Sequence, residues 1–127
     1  MVAARILLVD DYKLWRSTVR SILEATRKFW IVGEASDGME AIEMAATLIP
    51  DVVLLDIGLP GGPSGYELAA QLRQLPGLQG VLLVALTGFC RDEDKTRARE
   101  SGFDRHLSKP ADPDELLALL AAGRDKP

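Results

Sequence analysis

The chain has 127 residues, of which 47% are apolar and 27% are charged, as expected for one globular domain rather than a disordered segment. Its formal net charge of −4 argues against a generic nucleic-acid-binding surface, because phosphate contacts need an excess of Lys and Arg. The single cysteine, Cys90, excludes an intramolecular disulfide, and an unpaired thiol fits a reducing compartment. We find neither a signal peptide nor an apolar run near the ~20 residues of a membrane span, and we expect a cytoplasmic protein with no membrane partner.

Short apolar segments alternate with amphipathic segments along the whole chain. The apolar segments, predicted to be strands, are residues 5–10, 30–35, 52–56, 81–87 and 105–108. The segments predicted to be helices are the stretch from Trp15 to Leu23 and residues 38–48, 65–75, 92–102 and 112–122. In the last of these, Asp112 is the expected N-cap and Pro113 the first helical residue.

Five strand–helix pairs in strict alternation predict an α/β fold, in which a doubly wound parallel sheet is covered by helices on both faces. The central strands are continuously apolar, as burial on both faces requires. There is no internal repeat and no linker before the last few residues. We therefore expect one domain over residues 1–123, with 124–127 as a C-terminal tail or the start of a linker.

Several polar residues stand where the predicted strands end. Asp10 and Asp11 end the first strand, Asp56 the third and Thr87 the fourth, and Lys109 directly follows the fifth. In such sheets the loops at the carboxyl ends of the strands form the site. Three neighbouring carboxylates repel one another by ~1 kcal/mol per pair at 4 Å in water, and by ~4 at an effective dielectric of 20. Hard oxygen ligands without His or Cys favour Mg²⁺, which suits phosphoryl transfer.

Each of these residues taken alone has a simpler interpretation. Asp10 and Asp11 could be acids that cap the following helix, and Asp56 could start a turn. Thr87 could be an ordinary strand residue and Lys109 a solvated loop lysine. Only their joint placement on successive strand ends favours a site.

The segments "ILLVDD", "VGEASDGMEAIEMAATLIPDVVLLDIGLP", "ALTG" and "GFDRHLSKP" together resemble the receiver domain of two-component response regulators. The resemblance covers nearly the whole chain. It implies a flavodoxin-like fold of five parallel strands in the order 2-1-3-4-5. It also implies a signalling module in a phosphorelay, which takes a phosphoryl group from a histidine kinase or phosphotransfer protein.

The resemblance implies a role for each polar residue at the strand ends. Asp56 would be the phospho-acceptor, and it would ligate Mg²⁺ together with Asp11 and the Gly58 carbonyl, while Asp10 would act through water. The loop "GLPGGPSG" holds one residue more than is usual before the glycine matched by Gly65, so we expect the loop that carries Gly58 to differ in shape from the family's. Thr87 would hydrogen-bond the phosphoryl group and Lys109 would pair with another of its oxygens.

Phosphorylation in this family changes a surface made by helix four, strand five and helix five. The hydroxyl matching Thr87 moves towards the phosphoryl group, and a Tyr or Phe ring on strand five moves into the vacated space. Here that ring position is His106, a side chain that titrates near neutral pH, and we predict that the switch tolerates it. Leu116, Leu119 and Leu120 are expected in the core, whereas Leu117 and Ala121 would be left on the surface for a homodimer or another partner.

Two other kinds of doubly wound module remain open. A flavodoxin-like cofactor binder would need a Ser/Thr-rich phosphate loop after the first strand, where Asp10 and Asp11 stand. An aspartate-nucleophile phosphohydrolase usually has a second Asp two positions after the nucleophile, where Gly58 stands. A receiver that no longer takes phosphate is disfavoured, since all five key side chains are present. We therefore predict a module that catalyses only its own phosphorylation and dephosphorylation, not an enzyme.

Overall fold

A computed structural model describes residues 4–58, 64–87, 96–97, 99–108 and 112–123, without the side chains of residue 87 and residues 121–123. The strands are β1 (Ala4–Val9), β2 (Phe29–Ala35), β3 (Val52–Asp56), β4 (Leu82–Thr87) and β5 (Arg105–Ser108). The helices are α1 (Lys13–Ala25), α2 (Gly38–Leu48), α3 (Gly65–Gln74) and a C-terminal helix (Pro113–Gly123). Of the predicted helix 92–102, residues 96, 97, 99 and 100 are described and helical.

The five strands form one parallel sheet in the order β2-β1-β3-β4-β5, which confirms the predicted fold. All five residues of β3 are buried, because helices cover both faces of the sheet. One apolar cluster packs α2 and α3 on one face, and a second packs α1 and the C-terminal helix on the other. The carboxyl ends of all five strands therefore open at one edge of a rigid core.

Two of the helices begin at this carboxyl edge with side-chain caps. Asp37 accepts a hydrogen bond from the Glu40 N–H at 2.9 Å at the start of α2. At the start of α3, Ser64 and Glu67 form a capping box, in which each side chain accepts from the backbone N–H of the other residue. Such caps satisfy amide groups that the first turn leaves without partners, and they fix where each helix starts.

β2 is an edge strand with an irregular register. Ile6 of β1 pairs with Ile31, but the next residue, Leu7, pairs with Gly33, so that Val32 is an extra residue in β2. A Cβ on Gly33 would lie 3.0 Å from the Cδ1 atom of Leu48. The glycine therefore lets α2 pack closely against the edge of the sheet.

Arg73, at the end of α3, contacts the segments that lead into the amino ends of β4 and β5. Its guanidinium donates to the Gly102 carbonyl at 3.1 and 2.9 Å, and to the carbonyls of Gln79 and Val81 at 3.1 and 2.5 Å. It also forms an ion pair with Asp104, whose carboxylate accepts from the Leu83 N–H at 2.9 Å. This one side chain ties α3 to the segments that enter β4 and β5.

The C-terminal helix turns most of its leucines towards the sheet. Leu116 and Leu120 are buried, as predicted, and Leu117 and Leu119 are partly buried against the same cluster. The predicted exposed position of Leu117 is therefore only partly correct. The side chain of Ala121 and residues 124–127 lie outside the described part. None of the described helices is long and apolar enough to cross a lipid bilayer.

Candidate functional site: an acidic cluster at the carboxyl edge

Asp10 directly follows β1 and is completely buried. Its N–H donates to the Ala35 carbonyl at 3.0 Å, and its Oδ1 atom accepts from the Tyr12 N–H at 2.8 Å. The N-cap of α1 is Tyr12, without a side-chain cap, and the first turn carries no acid. The interpretation of Asp10 and Asp11 as helix-capping acids is therefore wrong.

Asp56 is the last residue of β3 and is 8% exposed. Its Oδ1 atom accepts from the Gly58 N–H at 2.9 Å, so Asp56 also starts the turn that the simpler interpretation expected. The N–H of Gly65 donates to the Ile57 carbonyl at 3.3 Å, which holds the start of α3 against the residue after Asp56. The turn that follows Asp56 is thus held to the start of α3, and 8% of the Asp56 surface stays accessible.

The carboxylates of Asp10, Asp11 and Asp56 come together at this edge, with ligand oxygens within 4.8 Å of one another. Asp10 and Asp56 are buried and Asp11 is exposed. Charges this close repel one another, and the repulsion grows as water is excluded. An all-oxygen donor set, without His or Cys in the group, fits a hard divalent cation.

The other predicted site residues are described to different degrees. Thr87 ends β4 opposite Ser108, and its neighbour Leu86 pairs with Asp56, which places the Thr87 backbone at the same edge. Gly58 is exposed, and its N–H donates to the Oδ1 atom of Asp56. Lys109 lies outside the described residues.

His106, the predicted switch residue, lies in β5 rather than at the carboxyl edge. It pairs with Ala85 of β4 and is half-buried.

A cation that the sequence did not single out lies beside the acidic cluster. The Nη1 atom of Arg16 donates to the Asp10 carbonyl at 2.5 Å, and its Nε atom donates to Glu34 at 3.0 Å. Cations are unfavourable near the positive end of a helix dipole, and Arg16 is the fourth residue of α1. An arginine in the first turn after two acids was therefore a usable signal.

The family model of the response regulator receiver domain matches residues 6–121. The chain belongs to this family. The receiver domain is 37% identical over 117 residues to the nitrate/nitrite response regulator NarL of Escherichia coli (strain K12), a match over 92% of the chain and 53% of NarL. It is 33% identical to the chemotaxis protein CheY of Halobacterium salinarum, over 94% of the chain and 96% of CheY.

Solved structures of receiver domains have the same fold. The receiver domain of the putative response regulator NarL from Mycobacterium tuberculosis superposes with a TM-score of 0.87 at 27% identity, covering 99% of this chain and 100% of that one. The chain spans about half the length of the first curated relatives that it matches. A phospho-accepting signalling role fits these relatives, and neither a flavodoxin-like cofactor binder nor a phosphohydrolase is favoured.

Proposed function

We propose that this receiver domain takes a phosphoryl group onto Asp56. One carboxylate oxygen bonds to phosphorus, and the bond between phosphorus and the donor breaks as the donor leaves with the electron pair. The observation that supports this role most directly is the position of Asp56. It ends a fully buried strand within 4.8 Å of two other carboxylates, and only 8% of its surface is exposed.

The proposal assigns the acidic cluster to a bound Mg²⁺. Asp11, Asp56 and the Gly58 carbonyl would hold it directly, and Asp10 through water. When bound, Mg²⁺ neutralises the crowded acids and the oxygens of the incoming group. The charge of the cluster supports this, since three carboxylates at such spacing favour a cation strongly. Mg²⁺ commonly keeps several waters and takes only one or two carboxylates.

Thr87 and Lys109 complete the proposed reaction site. Thr87 would donate a hydrogen bond to one phosphoryl oxygen, and the Lys109 ammonium would pair with another. The Thr87 backbone lies one residue beyond Leu86, the β4 residue that pairs with Asp56, and this position supports the proposed hydrogen bond from Thr87. A shift of Thr87 would then be transmitted to His106 and to the surface formed by the predicted helix 92–102, β5 and the C-terminal helix.

The partners follow from this chemistry. The donor would be a histidine kinase or phosphotransfer protein in the cytoplasm, where an unpaired cysteine stays reduced. The domain would turn over no outside substrate and would bind no nucleic acid directly, in keeping with its net charge of −4. A homodimer through the C-terminal helix is the second proposed contact, with the partly exposed Leu117 within it.

The decisive experiment is incubation with acetyl phosphate and MgCl₂, followed by intact mass measurement. We expect the wild type to gain the mass of one phosphoryl group, and Asp56→Asn or an excess of EDTA to abolish the gain. Asp51→Asn is the matched control, because Asp51 immediately precedes β3 at the opposite edge of the sheet and accepts from the Arg5 N–H. A phosphoryl group that remains on Asp56→Asn would overturn the assignment.

A further inference from the structure

Arg16 connects the acidic cluster to the edge strand β2. From α1 its guanidinium reaches the backbone carbonyl of Asp10 on one side and the carboxylate of Glu34 on the other. The Arg16 and Glu34 side chains are 13% and 22% exposed, so this ion pair is largely protected from solvent. Arg16 therefore links the segment after β1, which carries Asp10 and Asp11, to the edge strand β2.

This bridge is one of several restraints on Asp10. Its N–H donates to Ala35, its carboxylate accepts from Tyr12, and its carbonyl accepts from Arg16. The three bonds come from β2, from the N-cap of α1 and from the first turn of α1. Together they fix the peptide between Asp10 and Asp11, and this peptide sets the direction in which the exposed Asp11 side chain leaves the chain.

Charge alone does not explain the placement of Arg16. Glu34 also pairs with Arg20, which in turn pairs with Glu24, so the four side chains sum to zero. Replacing either arginine by a neutral residue lowers the net charge of this region by one, which by itself would strengthen the binding of a cation. Only Arg16 of the two has a bond to Asp10.

We propose that Arg16 is a positioning residue that holds Asp10 and Asp11 in the geometry that binds the metal ion. The inference rests on the proposed function, because it assumes that the cluster takes Mg²⁺. Outer partners that orient metal ligands typically change metal affinity by 10- to 100-fold when they are removed. A planar guanidinium suits this bridge because its fork of donors reaches two acceptors at once, which an ammonium does not reproduce.

The test compares Arg16→Gln with Arg20→Gln, two variants with the same change of charge next to the same glutamate. Urea unfolding is measured at a series of MgCl₂ concentrations at constant ionic strength. The Mg²⁺-dependent gain in unfolding free energy yields the dissociation constant, separately from any change in stability without metal. We expect about tenfold weaker binding for Arg16→Gln, and unchanged or tighter binding for Arg20→Gln.

A second variant, Arg16→Lys, retains the charge and serves if Arg16→Gln does not fold. It is also expected to bind Mg²⁺ more weakly than the wild type. Equal Mg²⁺ affinity for Arg16→Gln and Arg20→Gln, or full affinity for Arg16→Lys, would overturn the positioning role and leave the proposed function standing. A wild type without any Mg²⁺-dependent gain overturns both.

Discussion

Gly65 and Ile57 are in direct backbone contact: a Cβ on Gly65 would lie 2.5 Å from the Ile57 Cα atom and 3.0 Å from its carbonyl oxygen. Real Cβ atoms do not approach backbone this closely, so Gly65→Ala must move the start of α3 away from the turn after Asp56. We expect a loss of about 1–3 kcal/mol in unfolding free energy and slower phosphorylation by acetyl phosphate.

Urea unfolding checks the first effect, and the rate of mass gain checks the second. Gly80→Ala is the matched control, since nothing lies within 4 Å of a Cβ built there. Equal stability and equal rates for the two variants would show that the contact at Ile57 does not hold the site.

The acidic cluster is expected to weaken the fold when no cation is present. Asp56→Asn removes one of three charges within 4.8 Å while leaving an oxygen that can accept from the Gly58 N–H. With EDTA present, we expect it to be more stable than the wild type by about 2 kcal/mol, the repulsion of the two pairs that Asp56 forms with Asp10 and Asp11 in a wet environment. Thermal unfolding in EDTA measures this, and a less stable variant would contradict it.

Arg73 is expected to contribute more to stability than any single surface arginine. Arg73→Met leaves the Gly102 and Val81 carbonyls and the partly buried Asp104 carboxylate without this donor. A loss of about 2–4 kcal/mol in unfolding free energy follows from the cost of stranded polar groups. Arg99 lines the same surface cleft as Arg73, Gly102 and Asp104 but is exposed. Arg99→Met is therefore expected to change the unfolding free energy by less than about 0.5 kcal/mol.

The capping box of α3 offers a test of coupling. Ser64→Ala is expected to cost about 1 kcal/mol, because it removes the acceptor for the Glu67 N–H. Since Glu67 also accepts from the Ser64 N–H, the double variant Ser64→Ala/Glu67→Ala should lose less than the sum of the two single changes. Strictly additive losses in urea unfolding would mean that the two bonds form independently.

His106 is expected to act in the switch although it stands where the family usually has Tyr or Phe. It is half-buried in β5, next to the proposed output surface. When beryllofluoride and Mg²⁺ are added as a phosphoryl mimic, we expect His106→Ala to reduce the amide shifts of β5 and the C-terminal helix in NMR spectra. His106→Tyr should retain them. Identical shifts in the wild type and His106→Ala would exclude a role for this side chain.

The features that the sequence predicted well depend on periodicity and strand direction. β1 and β3 were recognisable because continuous apolar runs mark strands buried on both faces, and parallel strands bring Asp10, Asp11 and Asp56 to one edge. Arg16 was not found because its partner Glu34 lies 18 residues away in the sequence, and only the tertiary fold brings the two together. The one local sign was an arginine in the first helical turn after two acids. The extra residue in β2 is likewise defined only by the pairing of β2 with β1, which no local pattern in the sequence reveals.

That extra residue bears on how the molecule behaves at high concentration. An edge strand normally exposes a regular row of amide and carbonyl groups to which another chain can add. In β2 the extra residue at Val32 interrupts this row part-way along, and such irregularities typically bend a strand and increase its twist. A second copy of the chain could therefore pair with only a short stretch of β2. This edge of the sheet is thereby protected against strand addition and fibre formation.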